Sequence, residues 1–343
     1  MPELVSLEDV RAAARRLTGV TVRSPLVPFT GAPASAGTDL LIKPESLQPT
    51  GAFKLRGAYN AISVLLEDAD GGLPGVVAHS SGNHGFAVAY AAARLGLRAA
   101  IVVPENAPAV KTDAIAAAGA ELVLVAPTLA ARIRASREIA ESRGYGEIPP
   151  FDNRWVIAGQ GTVGLEIAED FAAGRGPADE PAAVLVPISG GGLIAGVAVA
   201  VKALLPGTRV IGVEPELAAD ARESLRTGTR VSWAPERTSR TRADALRVEQ
   251  IGELTFPHLQ AYVDDIVTVS EEEMLDAIRR LARQARLIAE PGGAVAVAAA
   301  LCRGAAELGI TPGTGAPLVA IVSGGNIDPT LLADILRSES YTG

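Results

Sequence analysis

Short, continuously apolar runs alternate with longer segments of helical periodicity along most of this chain. Val76–Ala78, Ala99–Val103, Glu121–Val125, Ala183–Val186, Val210–Val213 and Leu318–Val322 read as strands. Leu7–Leu17, Gly85–Leu95, Lys111–Ala118 and Leu193–Leu204 read as helices. Strands that are apolar on both faces and alternate with helices predict parallel βαβ units, with both faces of each sheet covered. The expected class is α/β. In such folds ligands bind beyond the C-terminal ends of strands. The loops after Ala78, Val186, Val213 and Val322 are therefore the places to look for chemistry. No repeat or long linker interrupts the pattern, and the polar, arginine-bearing stretch Thr227–Thr241 is expected at the surface.

At 343 residues the chain suits two lobes rather than one small core. With 48% hydrophobic and 20% charged residues and a net charge of −8, it offers no basic excess for nucleic acid or an anionic membrane. Aromatic residues are only 4%, so alanine, glycine and valine must fill the core, which suits helices packed closely on sheets. Cys302 is the single cysteine, which excludes an intrachain disulfide and a thiolate metal cluster. Met1-Pro2-Glu3-Leu4 lacks a basic-then-apolar signal, and no apolar run reaches membrane-spanning length, so the cytoplasm is the expected location.

Five loops carry candidate chemistry. His79-Ser80-Ser81-Gly82-Asn83-His84-Gly85 follows a strand and opens a helix. Its hydroxyls, amide and backbone N–H groups form a cradle suited to a carboxylate; an ordinary capping turn is the alternative. Ser189-Gly190-Gly191-Gly192-Leu193 joins a strand to a helix without the lysine of a P-loop. Its backbone can approach a phosphate closely, or it is simply a tight turn. Ser323-Gly324-Gly325-Asn326 ends another strand, where a hydroxyl either bonds a ring nitrogen or caps a turn. Glu214 and Asp220 flank Ala218 and could hold a hard divalent cation through oxygen ligands, or form a solvated acidic loop. Glu290 precedes a Pro-Gly-Gly helix start and is a candidate inward carboxylate. The histidines at 79, 84 and 258 lack zinc spacing, and no Gly-x-Ser-x-Gly elbow occurs, which removes the commonest hydrolases.

Lys54 is the sharpest feature. It sits behind Pro49-Thr50-Gly51 and next to Phe53, on the expected first turn of a helix. Burial and the positive end of a helix both push a lysine toward its neutral, nucleophilic amine. A helix-start lysine facing water is the alternative on spacing alone.

Taken together and in order, these stretches resemble the fold-type II pyridoxal-phosphate enzymes, in the branch of threonine/serine dehydratases and serine racemases. The run Pro49-Thr50-Gly51-Ala52-Phe53-Lys54-Leu55-Arg56-Gly57-Ala58 carries the resemblance most specifically. Cysteine and threonine synthases have an aspartate soon after the lysine, where Leu55 stands here. The resemblance implies a two-domain, tryptophan synthase β-like fold of parallel sheets flanked by helices. Residues 1–52 and 151–343 would form a large cofactor-binding domain and 53–150 a small one. It implies Lys54 as the Schiff-base lysine, Phe53 against the pyridine ring and Asn83 on the phenolic oxygen. Ser189, Gly190, Gly191, Gly192 and Leu193 would hold the phosphate, Ser323 the ring nitrogen, and Glu290 would line the cofactor site. Ser80, Ser81, Asn83 and His84 would grip the carboxylate of an amino-acid substrate.

The implied reaction is β-elimination from a β-hydroxy amino acid, L-threonine or L-serine, giving a 2-oxo acid and ammonia. Two alternatives accompany it. Ser81 stands where racemases keep the acid/base on the opposite cofactor face, so serine, threonine or aspartate-type racemisation is the first. A dehydratase of another hydroxy amino acid, such as 3-hydroxyaspartate, is the second. Glu214, Ala218 and Asp220 match a divalent-cation site of racemase-like members, implying magnesium or calcium. The family also implies a homodimer. Arg132 aligns with an arginine near the substrate in those members, but its arginine-rich helix favours a solvated face. Ala243-Asp244-Ala245 and Val248 depart from the family's pattern, which makes serine racemisation less secure, whereas Ser189 in place of the first glycine of the phosphate loop is a mild change, since a hydroxyl can still donate to phosphate.

Overall fold

A computed structural model describes residues 3–30, 37–107 and 109–338; Met1-Pro2 and the end of the expected large domain, 339–343, lie outside them. Among the described residues the strands are β1 (Val27–Pro28), β2 (Leu40–Pro44), β3 (Gly75–His79), β4 (Arg98–Pro104), β5 (Glu121–Val125), β6 (Gly146–Glu147), β7 (Ala183–Pro187), β8 (Arg209–Pro215), β9 (Asp265–Val269) and β10 (Leu318–Val322). They form a six-stranded sheet in the order β1-β2-β10-β7-β8-β9 and a four-stranded sheet in the order β5-β4-β3-β6. Apart from the antiparallel pair β1–β2, all ladders are parallel.

All six predicted strands are present. Most are buried along their length because helices cover both sheet faces. β2 and β9 are also parallel partners in the large sheet, but a lysine and an aspartate interrupt their apolar runs. The decisive register is that of β10. Val322 pairs with Pro44 at the end of β2, so the loops after these strands leave the sheet side by side. One loop leads to Lys54 and the other begins at Ser323.

The helix Arg154–Ala172 reads poorly from sequence, because Gly159, Gly161 and Gly164 look like breakers. Tertiary contact explains them. This helix lies against Gly192–Leu204 so closely that a Cβ on Gly196 would stand 2.2 Å from the Ile157 carbonyl and 2.8 Å from Gly161 Cα. The same helix also packs on Lys54–Asp68, where the Gly57 amide donates to Gln160 at 3.2 Å.

A buried ionic cluster ties the Lys54 helix to the large sheet. Arg56 is fully buried and forks onto two carboxylates. It donates to Glu45 at 2.7 and 2.9 Å and to Glu166 at 2.6 and 3.1 Å. Lys43 adds a second cation, 2.7 Å from Glu166 and 2.6 Å from the Ser24 carbonyl. Two cations face two anions, and Arg56 holds the Glu45 carboxyl below the usual carboxylate range against the cost of burial.

Candidate active site

Lys54 opens the helix Lys54–Asp68, directly behind a backbone splice between two strand-end loops. The Phe53 amide donates to the Ser323 carbonyl at 3.0 Å, Ala52 bridges Gly324, and the Gly325 amide donates to the Gly51 carbonyl at 2.9 Å. The lysine amine does not face open water. It donates to the Pro150 carbonyl at 2.7 Å and lies 5.2 Å from the centre of the Phe53 ring. Burial lowers its pKa to about 8, although the nearby Glu290 carboxylate pulls the other way. A large fraction of this amine is therefore neutral near pH 8, the form that attacks carbonyls and accepts protons.

Asn83 begins the helix Asn83–Arg94 on the small sheet and reaches across to the large one. Its side-chain amide donates to Glu290 at 2.6 Å, and its carbonyl accepts from Asn326 at 2.8 Å. Asn326 also donates to the Thr50 carbonyl at 2.9 Å, and the Glu290 amide donates to the Gly324 carbonyl at 3.1 Å. Glu290 is buried, so the inward carboxylate expected before the Pro-Gly-Gly turn is observed. The Ser323 side chain is also buried, and its hydroxyl bonds nothing among the described residues. Asn326 was not singled out from the sequence, although it closes the Ser-Gly-Gly-Asn run. Its role depends on Asn83, which is 243 positions away.

The glycine loop lies between β7 and the helix Gly192–Leu204. The first intrahelical bond runs from Ala195 to the Gly191 carbonyl at 2.9 Å, so the amides of Gly192, Leu193 and Ile194 precede it and are open to an anion. Gly191 has φ of +90°, and a Cβ at Gly190 would stand 2.3 Å from the Phe151 ring. Neither position admits a side chain.

On the small sheet, Ser80 accepts from the Gly82 amide at 3.2 Å, which leaves its hydroxyl proton free. Ser81 is half-buried and makes no hydrogen bond among the described residues. The His84 ring turns inward, with Nε2 2.9 Å from the Ile148 carbonyl. Burial and the positive Lys54 lower its pKa to about 3, so it is neutral at physiological pH and Nε2–H is the donor. The Nε2–H of His84 is thereby committed to the main chain.

The profile of the family described as "Pyridoxal-phosphate dependent enzyme" matches residues 17–324. The chain belongs to that family. It is 40% identical over 336 residues to the L-threonine ammonia-lyase of Thermotoga maritima, spanning 97% of this chain and 79% of that protein. It is 36% identical over 331 residues to the L-threo-3-hydroxyaspartate ammonia-lyase of Saccharomyces cerevisiae, spanning 96% of each. The solved maize serine racemase superposes with a TM-score of 0.87 at 35% identity, covering 97% of both chains.

The residues fit a pyridoxal-phosphate group on their own chemistry. A lysine amine of lowered pKa, an unpartnered hydroxyl and a glycine cradle with open amides are the three contacts that an aldehyde, a pyridine nitrogen and a phosphate require.

The acidic pair is buried rather than solvated. Glu214 accepts from the amides of Ala221 at 3.1 Å and Arg222 at 2.8 Å, while both oxygens of Asp220 are buried without a hydrogen bond. Burial raises Asp220 to about 7, and burial together with Asp220 raises Glu214 well above the carboxylate range. Ala218 is buried beside them. No cluster of three or more acidic, histidine or cysteine side chains with metal geometry occurs among the described residues.

Arg132 departs from the solvated face expected of it. It is half-buried on the helix Leu129–Arg143, and its Nε is enclosed without an acceptor. Burial lowers its pKa, and its charge helps to lower that of His79 at the end of β3, next to Ser80.

Proposed function

We propose that this pyridoxal-phosphate-dependent enzyme is an ammonia-lyase that converts L-threonine or L-serine to a 2-oxo acid and ammonia. The observation that carries this reading is the half-buried Lys54 amine, its pKa lowered to about 8, spliced to the loop that bears the unpaired Ser323 hydroxyl. Release of 2-oxo acid from L-threonine, L-serine, D-serine and L-threo-3-hydroxyaspartate tests it. No 2-oxo acid from any of them, with enantiomers interconverting, would sink the lyase reading.

Lys54, Ser323, Asn83, Glu290, Phe53 and the 189–193 loop would hold the cofactor. Bound there, pyridoxal phosphate supplies the electron sink that acidifies the α C–H bond and lets the β-hydroxyl depart. The protein does the rest. The Lys54 amine, once free, accepts the α-proton at Nζ on its own face. Ser323 would offer the ring nitrogen a neutral hydroxyl rather than a carboxylate, which would temper the sink and suit elimination better than transamination. The Ser80 and Ser81 hydroxyls and the amides at the start of the Asn83 helix fix the substrate carboxylate.

Racemisation, the alternative activity, requires a proton donor on the opposite face, and Ser81 has an uncommitted hydroxyl for it. Ser81→Ala is therefore expected to abolish any interconversion of D- and L-serine while L-threonine deamination stays within about an order of magnitude. Chiral chromatography alongside a 2-oxo acid assay decides this, and equal loss of both activities would remove Ser81 from the racemase role.

A second substrate reading rests on Arg132. A half-buried guanidinium with no protein acceptor at Nε, close enough to His79 to lower its pKa, favours a substrate that brings a second carboxylate, such as 3-hydroxyaspartate.

We assign the Glu214–Asp220 pair, with the Ala218 carbonyl, to magnesium or calcium. Both carboxyls have folded-state pKa values above their unfolded ones. Unliganded, they therefore destabilise the fold increasingly as pH rises from the carboxylate range through about 7. Either cation is expected to raise the Tm at pH 8, and the rise should shrink below about pH 7 as Asp220 takes up a proton. A Tm indifferent to both cations and to chelator at pH 8 overturns the assignment.

The two sheets are taken as the cores of a large domain (1–52 and 151–343) and a small one (53–150), with limited proteolysis as the check. No described helix is long and apolar enough to cross a membrane. We place the enzyme in the cytoplasm as a homodimer, to be tested by cell fractionation and native mass. Leu47 and Ile288, 47% and 42% exposed, lie on adjoining loops and give such a dimer an apolar contact.

A further inference from the structure

We infer that Asp152 and Thr255 are positioning residues for the phosphate of the cofactor, acting through the Gly190 carbonyl; the inference rests on the cofactor reading above. Neither residue lies in the glycine loop or in any motif that the chemistry of the site uses.

Asp152 follows Phe151 on the segment that leads from the small sheet into the helix Arg154–Ala172. One of its carboxylate oxygens accepts from the amides of Leu254 at 2.7 Å and Thr255 at 3.2 Å, and the other from Glu253 at 2.9 Å. These amides open the helix Thr255–Tyr262 and are the groups that would otherwise attract an anion. Asp152 occupies them, so the neighbouring helix start at Gly192 is left as the open anion site.

The turn that Asp152 holds grips the glycine loop in its turn. The fully buried Thr255 hydroxyl donates to the Gly190 carbonyl at 2.7 Å, and the Gly252 amide reaches the same oxygen at 3.3 Å. The Gly190 carbonyl and the Gly191 N–H belong to one planar trans peptide, so fixing the oxygen aims the N–H the opposite way. Packing closes the remaining freedom. A Cβ on Gly191 would stand 2.8 Å from Thr255 Oγ1, and one on Gly190 would strike the Phe151 ring. The loop is thus clamped from both faces, and its amides are set before a phosphate arrives. This preorganisation is what lowers the cost of binding.

The test compares pyridoxal 5′-phosphate with pyridoxal, which lacks the phosphate, in absorbance titrations of enzyme stripped of cofactor. Thr255→Val removes the hydroxyl at nearly constant volume. It is expected to weaken pyridoxal 5′-phosphate binding about five- to tenfold, one hydrogen bond's worth, and to leave pyridoxal binding unchanged. Thr255→Ser should restore the wild-type value, and Asp152→Asn should shift the same ligand in the same direction. Unchanged affinity for both ligands in Thr255→Val and Asp152→Asn overturns the inference. So does parallel weakening of both ligands, which would mark a general packing role. A wild-type enzyme that binds neither ligand would instead overturn the cofactor reading, and this inference with it.

Discussion

Lys54→Ala is expected to eliminate 2-oxo acid release, by roughly three orders of magnitude or more, together with the visible absorbance of bound pyridoxal phosphate. The reason is specific to the site. The amine is half-buried, is held by the Pro150 carbonyl, and has its pKa lowered to about 8. Lys43 is instead paired with Glu166, and Lys202 with Asp264 and the Thr208 carbonyl. The fold should survive, because losing a buried amine removes a desolvation cost as well as a hydrogen bond. Uptake of pyridoxal phosphate by stripped wild-type enzyme should quicken as pH rises through about 8, since the attacking form is the free amine. An alanine variant that keeps both absorbance and turnover would refute Lys54 as the nucleophile, and uptake flat from pH 6 to 10 would refute the lowered pKa.

The second large effect is structural and falls two residues further on. Arg56→Met should cost about 3–5 kcal/mol, the toll of leaving a buried charge without its partner. For a chain of this size that corresponds to a fall in Tm of about 4–7 °C. Without the guanidinium, Glu45 and Glu166 remain enclosed with Lys43 as the only cation of the cluster. Adding Glu45→Gln to the arginine variant removes one orphaned charge and should recover part of the loss, which a double-mutant cycle quantifies. A Tm within about 2 °C of wild type in Arg56→Met would show that the cluster contributes no net stability. The effect should also reach the chemistry, because Arg56 and Lys54 share the first turn of one helix and the cluster is its tie to β2.

Much of the site was legible before any coordinates. The Lys54 turn, the glycine loop, the Ser-Ser-Gly-Asn-His loop and the terminal serine were all found at strand ends, because strand-to-helix loops leave a local signature in glycine, hydroxyl and amide residues. What stayed hidden depended on partners distant in sequence. The helix Arg154–Ala172 is absent from the helices predicted above, and its glycines are explained only by the helix Gly192–Leu204 pressed against them. Arg132 reads as a surface residue from its arginine-rich helix, yet it is half-buried and its Nε is covered. His84 was read as a carboxylate contact, yet its ring points at the Ile148 carbonyl.

The sequence by itself determined the fold class, the order of the candidate loops and the choice of Lys54 as the candidate nucleophile, since apolar run length and loop chemistry are properties of neighbouring residues. The tertiary structure alone decided which side chains are buried together. The parallel register of β10 against β2 places Ser323 beside the Lys54 loop, and Asn83 crosses to Glu290 and Asn326. Burial then sets the charge states, lowering Lys54 and raising Asp220. The physical reason is that the desolvation of a charge depends on everything packed around it, and most of what packs around these groups lies far away along the chain.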